Sequence, residues 1–132
     1  MHSTLKKAVS TDKAPAPVGP YNQGVTAGGW LFCSGQIALD PQKGEMVGKG
    51  DIEAETHQVL RNLLEVLKAA GTNPTQVVKT TIYLVDLKDF QRVNLIYGEI
   101  FGQQVSPARA CVEVAALPKG AQVEIDCIAL LQ

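Results

Sequence analysis

The sequence predicts an α+β domain in which a single mixed β-sheet carries two helices on one face. Segments rich in β-branched and aromatic residues occur near the start, in the middle and at the end of the chain. Two segments with apolar residues at helical spacing lie between them. The length of 132 residues suits one domain with one core, so we treat residues 1–132 as a single domain.

The first strands are predicted to form a hairpin. Gln23–Ala27 and Trp30–Gly35 flank Gly28-Gly29, and two glycines between strand-like segments indicate a two-residue turn. Leu5–Val9 is a candidate for one further strand in front of them. The intervening segment Asp12–Tyr21 contains three prolines, which favours a loop over a helix or strand.

The clearest helix is predicted from about Asp51 to Ala70, after a glycine-rich loop over residues 37–50. Asp51 is a suitable N-cap, acidic residues occupy the first turn, and Gly71 follows the end. His57 falls near the polar side, and we interpret it as a solvated helix residue. The apolar stripe of this helix consists of Ile52, Val59, Leu60, Leu63, Leu67 and Ala70.

The second half of the chain continues with a strand, a helix and two strands. Val77–Val85 is rich in β-branched residues, and Leu87–Phe101 has an apolar stripe at helical spacing. Ala108–Val114 and Gln122–Leu130 are the last two strands. This order of elements is typical of an α+β sandwich, with the helices packed on one face of the sheet.

The composition disfavours several classes of protein. The formal net charge is −1 and the longest basic run is two lysines, so we expect no nucleic-acid partner. No apolar run approaches the roughly 18 to 20 residues that cross a bilayer, so we expect no membrane association. Three widely spaced cysteines without a CxxC pair are typical of a reducing compartment, which predicts a cytoplasmic protein. His2 and His57 lack the spacing to join the cysteines in a zinc site, so we expect no metal. A Ser-His-Asp triad is also disfavoured, because His2 lies at the terminus and His57 in the middle of a predicted helix.

The strands of the predicted sheet are apolar on both faces, which indicates an oligomer. In one strand Trp30 and Phe32 alternate with Leu31 and Cys33, yet two helices cover only one face of a sheet. A monomer rarely leaves such an apolar patch in water, so we expect subunits to pack sheet against sheet. The alternative is that the proline-rich loop covers the second face.

Alternation also sorts the side chains of the last two strands. In Ala108–Val114, Arg109 and Cys111 share one face, and the small residues of the other face suit packing against the helices. In Gln122–Leu130, Glu124 lies opposite the apolar residues. If these strands pair as a hairpin, Arg109 and Glu124 lie on the same face, away from the helices and at the subunit interface.

Two interpretations of Arg109 and Glu124 remain open at this point. They can pair with each other across strands or subunits, which is a structural role. Alternatively they form a ligand site, where the guanidinium binds a carboxylate through two hydrogen bonds and Glu124 holds or deprotonates a water. Cys111 is interpreted as a packed thiol, because no group near it in sequence other than Arg109 would lower the pKa of the thiol.

Three further polar residues are candidates for the same site. Asn94 lies at the edge of the apolar stripe of the second helix, where a buried amide needs partners; helix-to-loop hydrogen bonding is the simpler interpretation. Tyr21 follows Pro20 in the proline-rich loop, and its role is open. Ser34 ends a strand, where a hydroxyl can cap the backbone or contact a ligand.

Taken together, these motifs resemble the RidA family (also called YjgF), the reactive-intermediate deaminases. The resemblance runs over essentially the whole chain, and its most specific part is a Pro-Ala-Arg segment with a later Glu. The matching segments are Gly19-Pro20-Tyr21, Ser34-Gly35-Gln36, Val78-Lys79-Thr80-Thr81, Val93-Asn94 followed by Tyr97, residues 107–114, Leu117-Pro118-Lys119 and Val123-Glu124-Ile125.

The resemblance implies a chorismate-mutase-like fold and a homotrimer with three clefts between subunits. It also implies hydrolysis of 2-imino acids, which arise from enamines released by pyridoxal-phosphate enzymes, to 2-keto acids and ammonia without a cofactor or metal. Carried onto this sequence, Arg109 binds the substrate carboxylate, the backbone of Cys111 contacts the imine nitrogen region, and Glu124 positions the attacking water. The residues implied to line the cleft are Tyr21, Ser34 and Asn94.

Two other classes of function remain open from the sequence. One is a non-catalytic module that binds or senses small carboxylates. The other is a ribonuclease or translation inhibitor, a role ascribed to some relatives, although the absence of a basic run disfavours it.

Overall fold

The computed structural model describes residues 5–103 and 105–131, and it confirms the α+β prediction. Within these residues one mixed sheet has the strand order β1-β2-β3-β6-β4-β5. A 3₁₀ turn at Leu87–Asp89 precedes the second helix, so the predicted start of that helix falls on this turn. The strands are β1 Lys7–Val9, β2 Gly24–Ala27, β3 Trp30–Gln36, β4 Val77–Leu84, β5 Ala108–Glu113 and β6 Val123–Leu130, and the helices are α1 Ile52–Ala69 and α2 Phe90–Phe101.

The predicted hairpin forms between β2 and β3. Gly28 and Gly29 have φ angles of 57° and 85°, the left-handed backbone that a two-residue turn of this kind requires and that glycine adopts without strain. The strands pair antiparallel, with Ala27 opposite Trp30. The additional strand β1 pairs antiparallel with β2, and it is shorter than predicted.

Helix α1 begins and ends where its capping residues predict. The Asp51 carboxylate accepts hydrogen bonds from the backbone N–H groups of Glu53 and Ala54 at 3.1 and 3.2 Å, and Gly71 follows with a φ of 83°. The predicted stripe packs into the core; Val59 and Leu63 are fully buried. His57 is exposed, as expected.

The hairpin considered for the last two strands does not form. Strand β5 is an edge strand that pairs parallel with β4, whereas β6 lies in the centre of the sheet, antiparallel to β3 and β4. The chain passes from β4 through α2 to β5, and strands joined by such a helical crossover pair in parallel. Strand β6 takes the centre because one of its sides is entirely apolar and buried.

The helices cover one face of the sheet and leave the other face open. On the open face Trp30, Phe32 and Val112 are 40%, 46% and 42% exposed, so the described part of the amino-terminal loop does not cover them. We name this surface the open face. Its apolar exposure agrees with the expectation of an oligomer, and the homotrimer itself stays a prediction.

Candidate active site

A cavity of about 400 Å³ lies where the proline-rich loop meets the ends of β3 and β6. Three of the residues predicted from the sequence, Tyr21, Ser34 and Glu124, line it together. Gly35 and Lys119 are also part of its wall. We name this cavity the Glu124 pocket.

Backbone contacts fix Tyr21 and Ser34 at this pocket. The Ser34 hydroxyl donates to the carbonyl of Asn22, and the Ser34 N–H donates to the carbonyl of Gln23 at 3.0 Å. The Tyr21 hydroxyl accepts from the N–H of Val18 at 3.3 Å. Hydrogen bonds from Ser34 therefore connect the end of β3 to the loop before β2 beside the cavity.

Gln23 fixes the loop that forms one wall of the pocket, and no sequence pattern predicts this role. Its buried amide accepts from the N–H of Thr11 at 2.7 Å. The same amide donates to the carbonyls of Thr11, Ala14 and Pro15 at 2.9, 3.1 and 2.9 Å. A buried amide with this many partners is a structural clamp, because its removal would leave several backbone groups unsatisfied.

Glu124 is packed closely against the backbone of Gly35. A Cβ atom on Gly35 would lie 2.1 Å from one carboxylate oxygen of Glu124, so this position accepts only glycine while the carboxylate stays in place. Burial raises the pKa of Glu124, and the neighbouring Asp126 carboxylate raises it further. Asp126 in turn accepts a hydrogen bond from the Tyr83 hydroxyl at 3.0 Å. The pKa of Glu124 is thus moved in the direction that suits proton transfer near neutral pH.

A second cavity, of about 410 Å³, lies beside β5 and α2. Arg109 and Asn94 line it, and the Arg109 guanidinium donates to the Asn94 side-chain oxygen at 2.6 Å. The guanidinium carbon lies 5.4 Å from the ring centre of Phe90 and 5.0 Å from that of Tyr97. Among the residues that the structure describes, Arg109 forms no salt bridge with a carboxylate. We name this cavity the Arg109 pocket.

The predicted placement of Arg109 on the face away from the helices is wrong. Arg109 lies opposite Thr80 in the β4–β5 ladder, and Thr80 points toward α2, so Arg109 also lies on the helix side. Glu124 lies opposite Tyr83 and faces the open side. On the helix side the cation has a polar partner, because the Asn94 side chain of α2 accepts a hydrogen bond from it. Direct pairing of Arg109 with Glu124 within one chain is therefore excluded.

Cys111 shares the helix side with Arg109, which corrects its predicted face as well. Cys111 is partly buried and packs against the core. Burial raises the pKa of its thiol, while the charge of Arg109 acts in the opposite direction as the smaller effect. A thiol with a raised pKa is a poor nucleophile near neutral pH, which agrees with the interpretation of Cys111 as a packed side chain.

Glu55 anchors the start of β6, whereas its sequence position indicates only an acidic residue in the first turn of α1. The carboxylate is fully buried. It accepts from the backbone N–H groups of Gly50 and Gln122 at 3.2 and 2.9 Å, and from the Gln122 side-chain amide at 3.1 Å. Gln122 lies two residues before Glu124, so Glu55 fixes the strand that carries the pocket carboxylate.

The described residues offer neither a metal cluster nor a membrane span. Within residues 5–103 and 105–131, no group of three or more His, Cys, Asp and Glu side chains could hold a metal ion. In the same part of the chain, no helix has the length and apolar character needed to cross a bilayer. His2, which the sequence analysis considered as a ligand, lies outside the described residues.

Comparisons with known proteins show the family of this chain. A family model described as Endoribonuclease L-PSP matches residues 11–131. A RutC family protein of Synechocystis sp. is 55% identical over 125 residues, covering 95% of this chain and 96% of the relative. A Mus musculus protein named 2-iminobutanoate/2-iminopropanoate deaminase is 50% identical over 130 residues, covering 98% and 95%. The crystal structure of YyfA, a Rid family protein of Yersinia pestis, matches with a TM-score of 0.92 and 45% identity over 96% of this chain and 99% of that one. The predicted resemblance is confirmed: the chain belongs to the Endoribonuclease L-PSP family, also called the RidA, YjgF or RutC family.

Proposed function

We propose that this protein is an imine deaminase that hydrolyses 2-imino acids to 2-keto acids and ammonia. The observation that carries the proposal is Arg109, a cation that lines a cavity, hydrogen-bonds to Asn94 and has no carboxylate partner among the described residues. Full-length relatives at about half identity are named for this activity, which supports the same conclusion. The substrates implied are small 2-imino acids derived from the enamines that pyridoxal-phosphate enzymes release.

Arg109 serves as the carboxylate anchor in this proposal. A planar guanidinium forms two parallel hydrogen bonds with a carboxylate, which fixes both the charge and the plane of the group. Because the imine carbon is bonded directly to that carboxylate, its orientation toward water is fixed as well. Orientation accounts for much of the catalysis expected here, since an imine is already electrophilic.

Glu124 serves as the acid–base group. Water adds to the carbon of the protonated imine while one of its protons passes to the Glu124 carboxylate, and the nitrogen becomes the NH₂ group of a neutral tetrahedral carbinolamine. Glu124 then returns that proton to the nitrogen. As the C–N bond breaks, the Glu124 carboxylate takes the hydroxyl proton, so the hydroxyl carbon becomes the carbonyl of the 2-keto acid and ammonia leaves. The raised pKa of Glu124 suits both halves of this cycle. The backbone of Cys111 is proposed to contact the nitrogen, and no cofactor or metal takes part.

The two functional groups belong to clefts between subunits in this proposal. Arg109 and Glu124 lie on opposite sides of the sheet in one chain, so they cannot act on one small substrate together. A second copy that packs on the open face would bring its own Arg109 pocket toward the Glu124 pocket of the first. Three copies around an axis then form three equivalent clefts, the homotrimer that the family resemblance implies. Tyr21, Ser34 and Asn94 would line each cleft.

Mixing two inactive variants tests the shared cleft. Arg109→Ala and Glu124→Ala should each lose nearly all activity in a coupled assay that generates the imine with a serine or threonine dehydratase. When both variants are co-expressed with different tags and purified as mixed trimers, about one cleft in three has both groups intact, because each mixed trimer contains the complementing pair of neighbours once. Activity of up to about a third of the wild-type value should therefore return.

The outcome without complementation would contradict the proposal. If mixed oligomers stay inactive although both tags are present, the two groups act within one chain or not at all.

Phe32→Glu on the open face provides a second test, because a buried carboxylate at a subunit contact prevents association. Light scattering should report about three times the 14.1 kDa chain mass for the wild type and a smaller species for this variant.

Two alternatives have distinct readouts. A module that only senses small carboxylates would bind 2-oxobutanoate through Arg109 but would not speed imine hydrolysis. The description of the family model names an endoribonuclease, so RNA cleavage belongs in the same series of assays. Cleavage of RNA that survives Arg109→Ala and Glu124→Ala would show that a different site is responsible.

A further inference from the structure

We propose that Tyr97 is a positioning residue for Arg109, acting through a buried hydrogen bond to Thr80. The inference rests on the proposed function, in which Arg109 binds the substrate carboxylate. In this arrangement Thr80 fixes Tyr97, and Tyr97 limits the planes that the guanidinium can adopt. Tyr97 itself does not touch the reacting atoms.

The hydrogen bond has the usual length for two hydroxyl groups and is shielded from water. The hydroxyls of Tyr97 and Thr80 lie 2.7 Å apart, and both residues are buried. The Tyr97 ring also contacts another aromatic ring, since the ring centres of Tyr97 and Phe101 are 4.9 Å apart. Burial raises the pKa of Tyr97, so the phenol stays neutral and keeps its hydrogen bond across the physiological pH range.

The contacts of Arg109 all come from one face of α2. Phe90, Asn94 and Tyr97 are spaced four and three residues apart, which places them side by side along the helix. Asn94 accepts one hydrogen bond from the guanidinium, and the two rings approach its carbon at 5.4 and 5.0 Å. A single hydrogen bond leaves the guanidinium free to rotate about it, whereas aromatic neighbours favour particular orientations of the plane.

Thr80 is the residue that connects this helical face to the strand of Arg109. Thr80 lies directly opposite Arg109 in the β4–β5 ladder. The hydrogen bond between the hydroxyls of Thr80 and Tyr97 therefore sets the rotation of α2 relative to the backbone that carries the guanidinium. The substrate carboxylate needs two parallel hydrogen bonds from the guanidinium, so its binding depends on this rotation. The overall fold does not depend on it.

Two variants remove the same hydrogen bond from its two ends. Tyr97→Phe keeps the ring, and Thr80→Val keeps the volume of the side chain. Each should raise the KM for the imino acid and the Kd for 2-oxobutanoate by about three- to tenfold, the range expected for one net hydrogen bond, with a smaller effect on kcat. The double variant should be little worse than either single variant, because both act on one interaction. Leu95→Ala, on the solvent side of α2, is the matched control and should leave both constants unchanged.

An Arg109→Lys background separates positioning from a general structural role. Lysine lacks the planar fork, so Tyr97→Phe should have no further effect on the residual KM in this background. An equal further loss there would overturn the proposal, since it would show that Tyr97 acts independently of the guanidinium. Wild-type constants for Tyr97→Phe and Thr80→Val would overturn it too. A wild-type protein without deaminase activity or keto-acid binding would instead refute the proposed function.

Discussion

Gly35→Ala is the most informative single change in the Glu124 pocket. The new methyl group would lie 2.1 Å from a carboxylate oxygen of Glu124 and 2.7 Å from the carboxylate carbon. Ordinary contact begins near 3.4 Å, so the oxygen must retreat by about 1.3 Å, the difference between 3.4 and 2.1 Å. The backbone of Gly35 is not in the left-handed region, so alanine itself is tolerated there.

The expected consequence is a loss of turnover without a loss of fold. Displacing a catalytic group by about 1 Å can cost about 10²-fold in rate, and removing a positioned acid–base group costs about 10² to 10⁴-fold. We therefore expect kcat/KM to fall by about 10²-fold in the dehydratase-coupled assay. The affinity for 2-oxobutanoate should change less, because Arg109 supplies the carboxylate contact. The midpoint of urea unfolding should stay near the wild-type value.

A double variant provides the control. In the Glu124→Ala background the carboxylate is absent, so Gly35→Ala should have no further effect on turnover. Independent, additive losses would mean that Gly35 acts by some other route, such as direct contact with substrate. Wild-type kcat/KM for Gly35→Ala would refute the reasoning outright, since the carboxylate position would then be irrelevant to the reaction.

Three other predictions address charge, stability and the thiol. Asp126→Asn removes the like charge that raises the pKa of Glu124, so the acid limb of the kcat/KM profile should move to lower pH; an unchanged limb would mean that another group titrates there. The Glu55 carboxylate accepts hydrogen bonds from three N–H groups, and Glu55→Gln replaces one of its oxygens with an NH₂ donor. At least one buried N–H group then lacks an acceptor, so the free energy of unfolding in urea titrations should fall by about 1–3 kcal/mol. Cys111→Ala should keep most of its activity, because burial raises the thiol pKa; inactivation together with a covalent adduct in mass spectrometry would contradict this.

The elements that the sequence predicts well are those that local chemistry determines. Gly28-Gly29 is sufficient to indicate the first hairpin, since a tight turn needs left-handed backbone at both positions. Asp51 and Gly71 bound α1 because caps act within one turn of the helix. Glu124 was assigned correctly to the face opposite the apolar residues, since every second residue of β6 is apolar and buried.

The face of Arg109 could not be obtained by the same rule. In β5 the small and branched residues were assigned to the helices, but Val112 is exposed on the open face and Arg109 lies toward α2. The side of an edge strand that faces a helix need not be apolar, because the helix can offer polar and aromatic partners. Here Asn94 and two aromatic rings of α2 contact the Arg109 cation. The order β4-α2-β5 does indicate that β4 and β5 pair in parallel, because a helix joins them. This order therefore argues against the hairpin that we considered between β5 and β6.

Glu55 illustrates a different limit of sequence reasoning. An acidic residue in the first turn of a helix is well explained by the helix dipole, so the local pattern gives no reason to look further. Its partner Gln122 is 67 residues away, and the contact becomes visible only when the start of β6 is brought to the start of α1. Gln23 is similar, since its four hydrogen bonds reach back to a loop without periodicity.

The open face and the divided site have one explanation in the proposed assembly. In a single chain the Glu124 pocket lies on one side of the sheet and the Arg109 pocket on the other. Each pocket alone lacks one of the two groups that the proposed reaction needs. The apolar residues of the open face, Phe32 and Val112 among them, favour burial against another copy. Such burial stabilises the oligomer and closes the cleft in the same step. Substitutions on the open face should therefore reduce turnover in proportion to the fraction of dissociated subunits, even though they alter neither Arg109 nor Glu124.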